Sequence, residues 1–210
     1  CVKMGALDFG RSVHSCLVRS GFDTDKFITS ALVDLYCTSD AVGDALLVYS
    51  DLAKPSLITS NALIGGLISM HRTEEAKIVF QKMPEHDSGS YNLMIKLYGI
   101  EGRLDDCQRM FEKMPRRNIV TLNSMMSVLL QNGKLEDGLK LFEQIKDEGN
   151  TITWNSMISG YVQNDHPSEA LKLFVAMCRL PIVCSPSTFP ALLHACADLV
   201  SQIVCLLSWF

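Results

Sequence analysis

A stripe of apolar residues recurs along the chain every 31 or 32 residues. Each copy holds a small residue, then an aromatic residue four positions later and a long apolar residue three positions beyond that. Side chains at i, i+4 and i+7 share one face of an α-helix, so every copy predicts an amphipathic helix that packs by this face. The small residues, where two helices can approach closely, are Ala45, Ala76, Cys107, Gly138 and Ala170.

A second apolar run precedes each stripe and predicts a second helix. Near its start stand the asparagines Asn61, Asn92, Asn123 and Asn155, spaced by 31, 31 and 32 residues. Gly102 and Gly133 lie between the two helices of their units, where a helix C-terminus favours a residue that tolerates positive φ. Prolines that follow Met83 and Met114 end the later helix. No alternating pattern predicts a strand.

The repeat divides the chain into helical pairs. We place complete units at 26–56, 57–87, 88–118, 119–150 and 151–185, with a partial unit (one second helix) at 1–25 and an incomplete, divergent unit at 186–210. A single pair cannot bury its apolar face, so neighbouring pairs must stack. The predicted fold is all-α: an α-solenoid of helix–turn–helix repeats that forms a right-handed superhelix with a concave inner surface.

Composition narrows the class of protein. The 210 residues are 48% hydrophobic and carry a net charge of −4, which argues mildly against a nucleic-acid partner. The eight cysteines are scattered without zinc-like spacing and are interpreted as reduced, buried thiols of an intracellular protein. No apolar stretch is long enough to predict a membrane span. The chain starts in mid-pattern at Cys1, so we expect a fragment, with any targeting peptide upstream.

Motifs for catalysis are missing from the sequence. None of the five histidines begins the H-x-E motif of a zinc deaminase, and neither a Walker A motif nor a G-x-S-x-G motif occurs. His194 and Cys196 are two residues apart, and on a helix such side chains diverge. We therefore predict no enzymatic activity, no cofactor and no metal site for this segment.

The repeated phrases resemble a known family. "TWNSMISGYVQN" and "SEALKLFVAM", with unit ends such as "FQKMPEHD" and "FEKMPRRN", resemble the pentatricopeptide repeat family of plant organelles, whereas tetratricopeptide repeats have different columns. The mixed unit lengths are similar to its PLS subclass, as are "GRSVHSCLVRSGF" at Gly10–Phe22 and "STFPALLHACADL" at Ser187–Leu199. Arrays of this family are described as reading single-stranded RNA, one base per repeat. The resemblance therefore implies an RNA-binding solenoid.

The resemblance also implies which side chains read the bases. In the family they are the fifth and the last residue of a unit, and an amide offers both donors and an acceptor to a base edge. The implied pairs are Asn61 with Asp87 for uracil, Asn92 with Asn118 and Asn123 with Asn150 for pyrimidines, Asn155 with Ser185 for cytosine, and Ser30 with Ser56 for no particular base. Apart from the resemblance, an asparagine near a helix start is commonly a cap.

A further column is similar to the family's base-sandwiching residues. These are the second residues of the units, Phe27, Ile58, Val120 and Ile152. Gly89 departs from the column because glycine has no side chain to place against a base, and Pro190 replaces the amide in the last unit. The aromatic residues just before the asparagine column are interpreted as packing between units; they are Tyr91, Trp154 and Phe189.

Charge limits the RNA binding that the resemblance implies. Phosphate contacts normally supply much of the affinity, and many family members have basic residues near the end of the first helix. The corresponding residues here are not basic: Thr38, Ser69, Ile100, Gln131 and Gln163. Arg116 and Arg117 are interpreted as solvated loop charges. We expect this segment alone to bind RNA weakly, with a shallow dependence on salt.

The expected biological role follows from the resemblance. We expect site recognition on an organellar transcript for C-to-U editing or other RNA processing, with catalysis by a domain outside this segment or by a deaminase-domain protein or other editing factor. The expected compartment is the mitochondrion, with the chloroplast as the alternative, and no membrane partner is expected. An alternative stays open: a helical-repeat scaffold that binds a peptide on its concave face, which the acidic composition favours.

Overall fold

The computed structural model describes residues 2–22, 25–52 and 54–207, with their side chains except those of residues 2–6, 26 and 201–207. This part of the chain forms twelve α-helices and no strand: α1 Val2–Arg19, α2 Lys26–Thr38, α3 Val42–Ser50, α4 Leu57–Ser69, α5 Thr73–Lys82, α6 Ser88–Ile100, α7 Leu104–Lys113, α8 Ile119–Gln131, α9 Leu135–Ile145, α10 Thr151–Gln163, α11 Pro167–Met177 and α12 Thr188–Leu207. The prediction of an all-α fold is confirmed.

The helices alternate in length as the repeat implies. Each even-numbered helix from α2 to α10 has 13 residues, and the helix after it has 9 to 11. The contacts define two compact halves, residues 1–97 and 98–210. In the first half α2 packs on its own α3 and on the next first helix, α4; in the second half α8 packs likewise on α9 and α10. Stacking buries the apolar faces that a lone pair would expose.

The turn between the two helices of a unit requires a left-handed backbone conformation. Gly102 and Gly133 have φ of +71° and +73°, which confirms their predicted role. The same turn is made elsewhere by Asp40, His71 and Asp165, with φ between +58° and +62°. In each case the next residue's N–H bonds back to a carbonyl in the last turn of the first helix. Aspartate and histidine are among the non-glycine residues that adopt this conformation most readily.

The column of small residues lies in the core, as predicted. Its members Ala45, Ala76, Cys107, Gly138 and Ala170 are all buried. Burial raises the pKa of the Cys107 thiol to about 11, so this thiol stays protonated at neutral pH. The prediction of buried cysteines is wrong for Cys16, Cys178 and Cys196, which are exposed.

The aromatic residues beside the asparagine column pack between units, as predicted. Trp154 is 5% exposed and meets Phe142 edge-on, with ring centres 5.1 Å apart. Tyr91 lies 5.9 Å from Phe80, and Phe189 lies 6.5 Å from Phe174. In each pair, the first helix of one unit contacts the second helix of the preceding unit. These rings therefore help to stack the repeats.

The side chains of His86 and Arg117, which are 31 residues apart, cap the C-terminal ends of second helices. His86 Nε2 donates to the Phe80 carbonyl oxygen at 2.9 Å, and the two rings lie 4.1 Å apart. Arg117 Nε donates to the Phe111 carbonyl oxygen at 3.1 Å, with its guanidinium 4.5 Å from the Phe111 ring centre. Carbonyls in a last helical turn have no intrahelical partner, so a side-chain N–H donor stabilises them. Arg117 is thus a capping residue and more than a solvated loop charge.

Replacing Arg117 with alanine should lower the free energy of unfolding by about 1 kcal/mol, because one hydrogen bond and one cation–π contact are lost. Urea denaturation followed by circular dichroism measures the change. Lys54→Ala is the control, since it removes the same charge from an exposed loop position. Equal stability of the Arg117→Ala variant and the Lys54→Ala variant would contradict the capping role.

Candidate nucleic-acid interface

The first implied reading pair is joined by hydrogen bonds. Asn61 Nδ2 donates to Asp87 Oδ1 at 3.1 Å, and Asn61 Oδ1 accepts from the Ser90 hydroxyl at 2.8 Å. Burial alone would raise the pKa of Asp87, but hydrogen bonds from Ser90 and Asn61 outweigh it and lower the pKa below its ordinary value. At neutral pH the group beside Asn61 is therefore a carboxylate, which only accepts hydrogen bonds.

A second implied pair is joined in the same way in the C-terminal half. Asn155 Nδ2 donates to the Ser185 hydroxyl at 3.0 Å and lies 3.4 Å from the Ser187 hydroxyl. Asn155 Oδ1 accepts from the Thr188 hydroxyl at 2.8 Å. Here every group around the amide is a hydroxyl, which can donate as well as accept.

The other implied pairs have no such bond among the described residues. Asn123 is only 6% exposed, and its Oδ1, like Asn92 Oδ1, is buried without a hydrogen-bond partner. Asn118 and Asn150 instead use Oδ1 to cap α8 and α10. Ser56 caps α4 by accepting from Thr59 N, and Ser30 is the fifth residue of α2, half-buried.

The last residue of most units thus caps the next first helix, although Ser185 lies three residues before α12 begins at Thr188. Asp87 follows the rule, since its Oδ1 accepts from Ser90 N at 2.8 Å. The asparagines at the fifth place of a unit lie one turn further along the helix and do not cap it. Helix capping, the alternative role considered for them, belongs instead to the last residues of the units. The signal in the sequence was a serine or threonine three residues after the cap, as in Asn150 and Thr153.

The implied sandwich residues stand at the second position of the first helices and project into solvent. Phe27, Ile58, Val120 and Ile152 are 67%, 63%, 57% and 62% exposed. Large apolar side chains at equivalent exposed positions in four units are candidates for ligand contact, because burial would otherwise be favoured. At Gly89 a Cβ atom would lie 3.2 Å from both Asn61 Nδ2 and Asp87 Oδ1, so glycine leaves this pair uncovered.

Clefts beside the first helices bring several of these columns together. In the N-terminal half, Phe27, Ser56 and Ile58 line one cleft of about 360 Å³. In the C-terminal half, a cleft of about 880 Å³ is lined by Asn155, Ile152, Ser185, Gln131 and Gln163, together with several serines.

The clefts at Asn61 and Asn155 are lined by both apolar and polar groups. The cleft at Asn61 also holds Thr38, Ser69 and the acidic Asp34. No lysine or arginine lines this cleft or the one at Asn155. The walls offer hydrogen bonds to a ligand but little attraction for phosphate.

The described part of the chain also bears on metal binding and on membrane insertion. Three or more His, Cys, Asp or Glu side chains do not come together there as a possible metal site. Among the helices described, none has the length and apolar character needed to cross a membrane.

One solved structure shows the architecture of the fold. The crystal structure of the pentatricopeptide repeat protein PPR10 from maize is similar over 85% of this chain and 28% of that chain, with 23% identity and a TM-score of 0.53. This likeness confirms an all-α helical-repeat solenoid. The structure of PPR10 in complex with an 18-nt psaJ RNA element covers 94% of this chain and 38% of that chain, with 17% identity and a TM-score of 0.49.

Curated relatives come from Arabidopsis thaliana. Pentatricopeptide repeat-containing protein At1g06143 is 39% identical over 83 residues, which are 40% of this chain and 14% of the relative. Pentatricopeptide repeat-containing protein At5g46460, mitochondrial, is 34% identical over 83 residues, 40% of this chain and 12% of the relative. The match therefore spans a small part of each relative's length.

Family models match most of the chain. The model described as PPR repeat matches residues 58–88, 89–119 and 120–150, and the model described as PPR repeat family matches residues 149–198. Together they cover residues 58–198, which is 141 of 210. With its helical pairs, their period and these matches, the chain belongs to the pentatricopeptide repeat family.

Proposed function

We propose that this chain binds single-stranded RNA and selects pyrimidine bases with the amides of its first helices. The observation that carries the proposal is the joining of Asn61 with Asp87 and of Asn155 with Ser185 at a surface where neighbouring units expose apolar side chains. Unpaired bases present hydrogen-bonding edges and flat faces, which fit amides and apolar side chains respectively. PPR10 from maize, which shares this fold, has been solved in complex with an RNA element.

The base preferences are proposed unit by unit. Units 57–87, 88–118, 119–150 and 151–185 would read uracil, two pyrimidines and cytosine in turn, and unit 26–56 would not discriminate. Asn61 has one amide hydrogen and one oxygen lone pair left for a base after the bonds described above, whereas Asn155, whose Nδ2 donates to both Ser185 and Ser187, has one oxygen lone pair left. Asn118 and Asn150 cap with oxygen, so their Nδ2 hydrogens can point to a base.

The lack of lysine and arginine in the clefts at Asn61 and Asn155 supports a mode of binding in which base contacts contribute more than phosphate contacts do. Few lysine or arginine side chains would release counterions, so affinity should fall only slightly between about 50 mM and 200 mM salt. Hydrogen bonding to base edges would then supply selectivity at modest affinity. A steep salt dependence would point to another surface.

The biological role is proposed from the relatives. Site recognition on an organellar transcript fits the mitochondrial labels of several of them, with the chloroplast as the alternative compartment. C-to-U editing or another RNA-processing step would be catalysed outside this segment, by a further domain or by a deaminase-domain partner. The sequence pattern of the PLS subclass supports the editing role.

Fluorescence anisotropy with labelled RNAs tests the proposal. An RNA with uracil followed by pyrimidines should bind at least fivefold more tightly than one with purines at these positions, since one or two base contacts are lost per substitution. Single-stranded DNA and a pool of unstructured peptides serve as comparison ligands. Equal binding of purine and pyrimidine RNAs would contradict the proposal, and tight capture of a peptide would favour a protein-interaction scaffold.

A further inference from the structure

Both joined reading pairs include a third group, which belongs to the following unit. The Ser90 hydroxyl lies 2.8 Å from Asn61 Oδ1, and the Thr188 hydroxyl lies 2.8 Å from Asn155 Oδ1. Ser90 and Thr188 are 0% and 1% exposed. An amide oxygen can only accept, so each hydroxyl is the donor. Burial strengthens such a bond because water does not compete for it.

The Ser90 hydroxyl and the Asp87 carboxylate together fix which end of the Asn61 amide carries the nitrogen and which carries the oxygen. Its nitrogen faces the Asp87 carboxylate and its oxygen faces Ser90. Half a turn of the amide would set its oxygen against the carboxylate, and two acceptors in contact repel. Ser90 Oγ is also 2.8 Å from Asp87 Oδ1, but that atom already accepts from Ser90 N and Asn61 Nδ2. Asn61 Oδ1 has only this hydroxyl as a donor among the described residues.

Unit 119–150 shows what happens without this contact. Its fifth residue is Asn123, and the third residue of the next unit is Thr153. The Thr153 hydroxyl accepts from Asn150 N at 3.2 Å and lies 3.4 Å from Asn150 Oδ1, and the Ser90 and Thr188 hydroxyls likewise accept from the backbone N–H three residues earlier, at 3.4 and 3.2 Å. Unlike those two hydroxyls, Thr153 makes no bond to the preceding amide. Asn123 Oδ1 is left buried without a partner. A hydroxyl residue at the third place of a unit therefore bonds to the asparagine of the preceding unit in two cases, Ser90 and Thr188, and not in the case of Thr153.

We propose that Ser90 and Thr188 are positioning residues, each of which holds the reading amide of the preceding unit in one orientation. The inference rests on the proposed role of Asn61 and Asn155 in base readout. Uracil and cytosine present opposite donor and acceptor patterns on their pairing edges, so an amide that is held discriminates between them, whereas one that rotates accepts both. The selectivity of a unit thus depends on a residue of the next unit.

Removing the hydroxyl tests the proposal. Ser90→Ala should lower the preference for uracil over cytosine at the nucleotide read by unit 57–87 by about fivefold, the worth of one hydrogen bond, and Ser90→Thr should retain it. Thr153→Ala is the matched control, because it removes a buried hydroxyl that bonds to its cap, as Ser90 does, but makes no bond to the amide of the preceding unit. It should leave the preference at the nucleotide read by unit 119–150 unchanged. An unchanged ratio in Ser90→Ala, or equal losses in both alanine variants, would overturn the inference.

A measurement without RNA separates this inference from the proposed function. The carbonyl carbon of the Asn61 side chain reports hydrogen bonding to its oxygen, so its NMR resonance should shift in Ser90→Ala and stay in place in Ser90→Thr. A resonance that is the same in wild type and in Ser90→Ala would overturn the positioning role. Wild-type protein that shows no base preference while this resonance shifts as expected would instead count against the proposed readout.

Discussion

Replacing Gly66 with alanine should destabilise the protein by about 2 kcal/mol, although alanine is the better helix former. A methyl group at this position of α4 would overlap the Sγ and Cβ atoms of Cys37 in α2. The Cβ atom of Cys37 cannot rotate away, so the two first helices must move apart. Helix propensity returns only about 1 kcal/mol of this cost. Urea denaturation monitored by circular dichroism measures the loss.

The neighbouring glycine provides a matched control. At Gly65 an added Cβ would meet only Leu93 Cδ2, at 3.8 Å, which is an ordinary contact. Gly65→Ala in the same helix should therefore be neutral or stabilising by up to about 1 kcal/mol. A double variant, Gly66→Ala with Cys37→Gly, should recover much of the lost stability, because it places the larger residue in α4 and the glycine in α2. If Gly65→Ala and Gly66→Ala have the same stability, the close approach of α2 and α4 is not as described.

Asn61→Ala should lower the affinity for RNA with uracil at the matched position about tenfold and abolish the preference for uracil there. The variant removes both hydrogen-bonding groups that the amide would present to the base. It also removes the side chain to which Asp87 and Ser90 both bond. Asp87 still caps α6 in the variant, but the amide proposed to contact the base is absent. Fluorescence anisotropy with RNAs that differ at one nucleotide measures the effect. Retained selectivity in the variant would remove Asn61 from the interface.

The control for this variant is an asparagine from another column. Asn132, at the end of α8, donates from Nδ2 to the Gly99 and Val128 carbonyl oxygens at 3.1 and 2.8 Å. Asn164 makes the equivalent bonds to Leu130 and Gly160. These amides bridge successive first helices, so Asn132→Ala should lower stability without changing base preference.

Much of the candidate site could be anticipated from the sequence, because the repeat aligns equivalent residues. The period assigned Cys107 to a packing position and assigned Asn61 and Asp87 to the fifth and last places of one unit. It did not indicate that Asp87 would cap α6, nor that Ser90 would bond to Asn61. Those contacts depend on side-chain geometry between consecutive units. The same limit explains Arg117, whose partner is a backbone carbonyl that has no sequence signature.

The sequence by itself determined the helical pairs, their period and the family, because apolar spacing and turn residues are local properties. Only the tertiary structure showed which side chains of neighbouring first helices face each other and how large they can be. In three pairs of successive units, the residue at the twelfth place of one unit meets the residue at the tenth place of the next, and one of the two is glycine: Cys37 with Gly66, Gly99 with Val128, and Leu130 with Gly160. The glycine changes places from pair to pair, so no column reveals it. The constraint is the summed volume of two residues about thirty positions apart, which is defined only once the helices are packed.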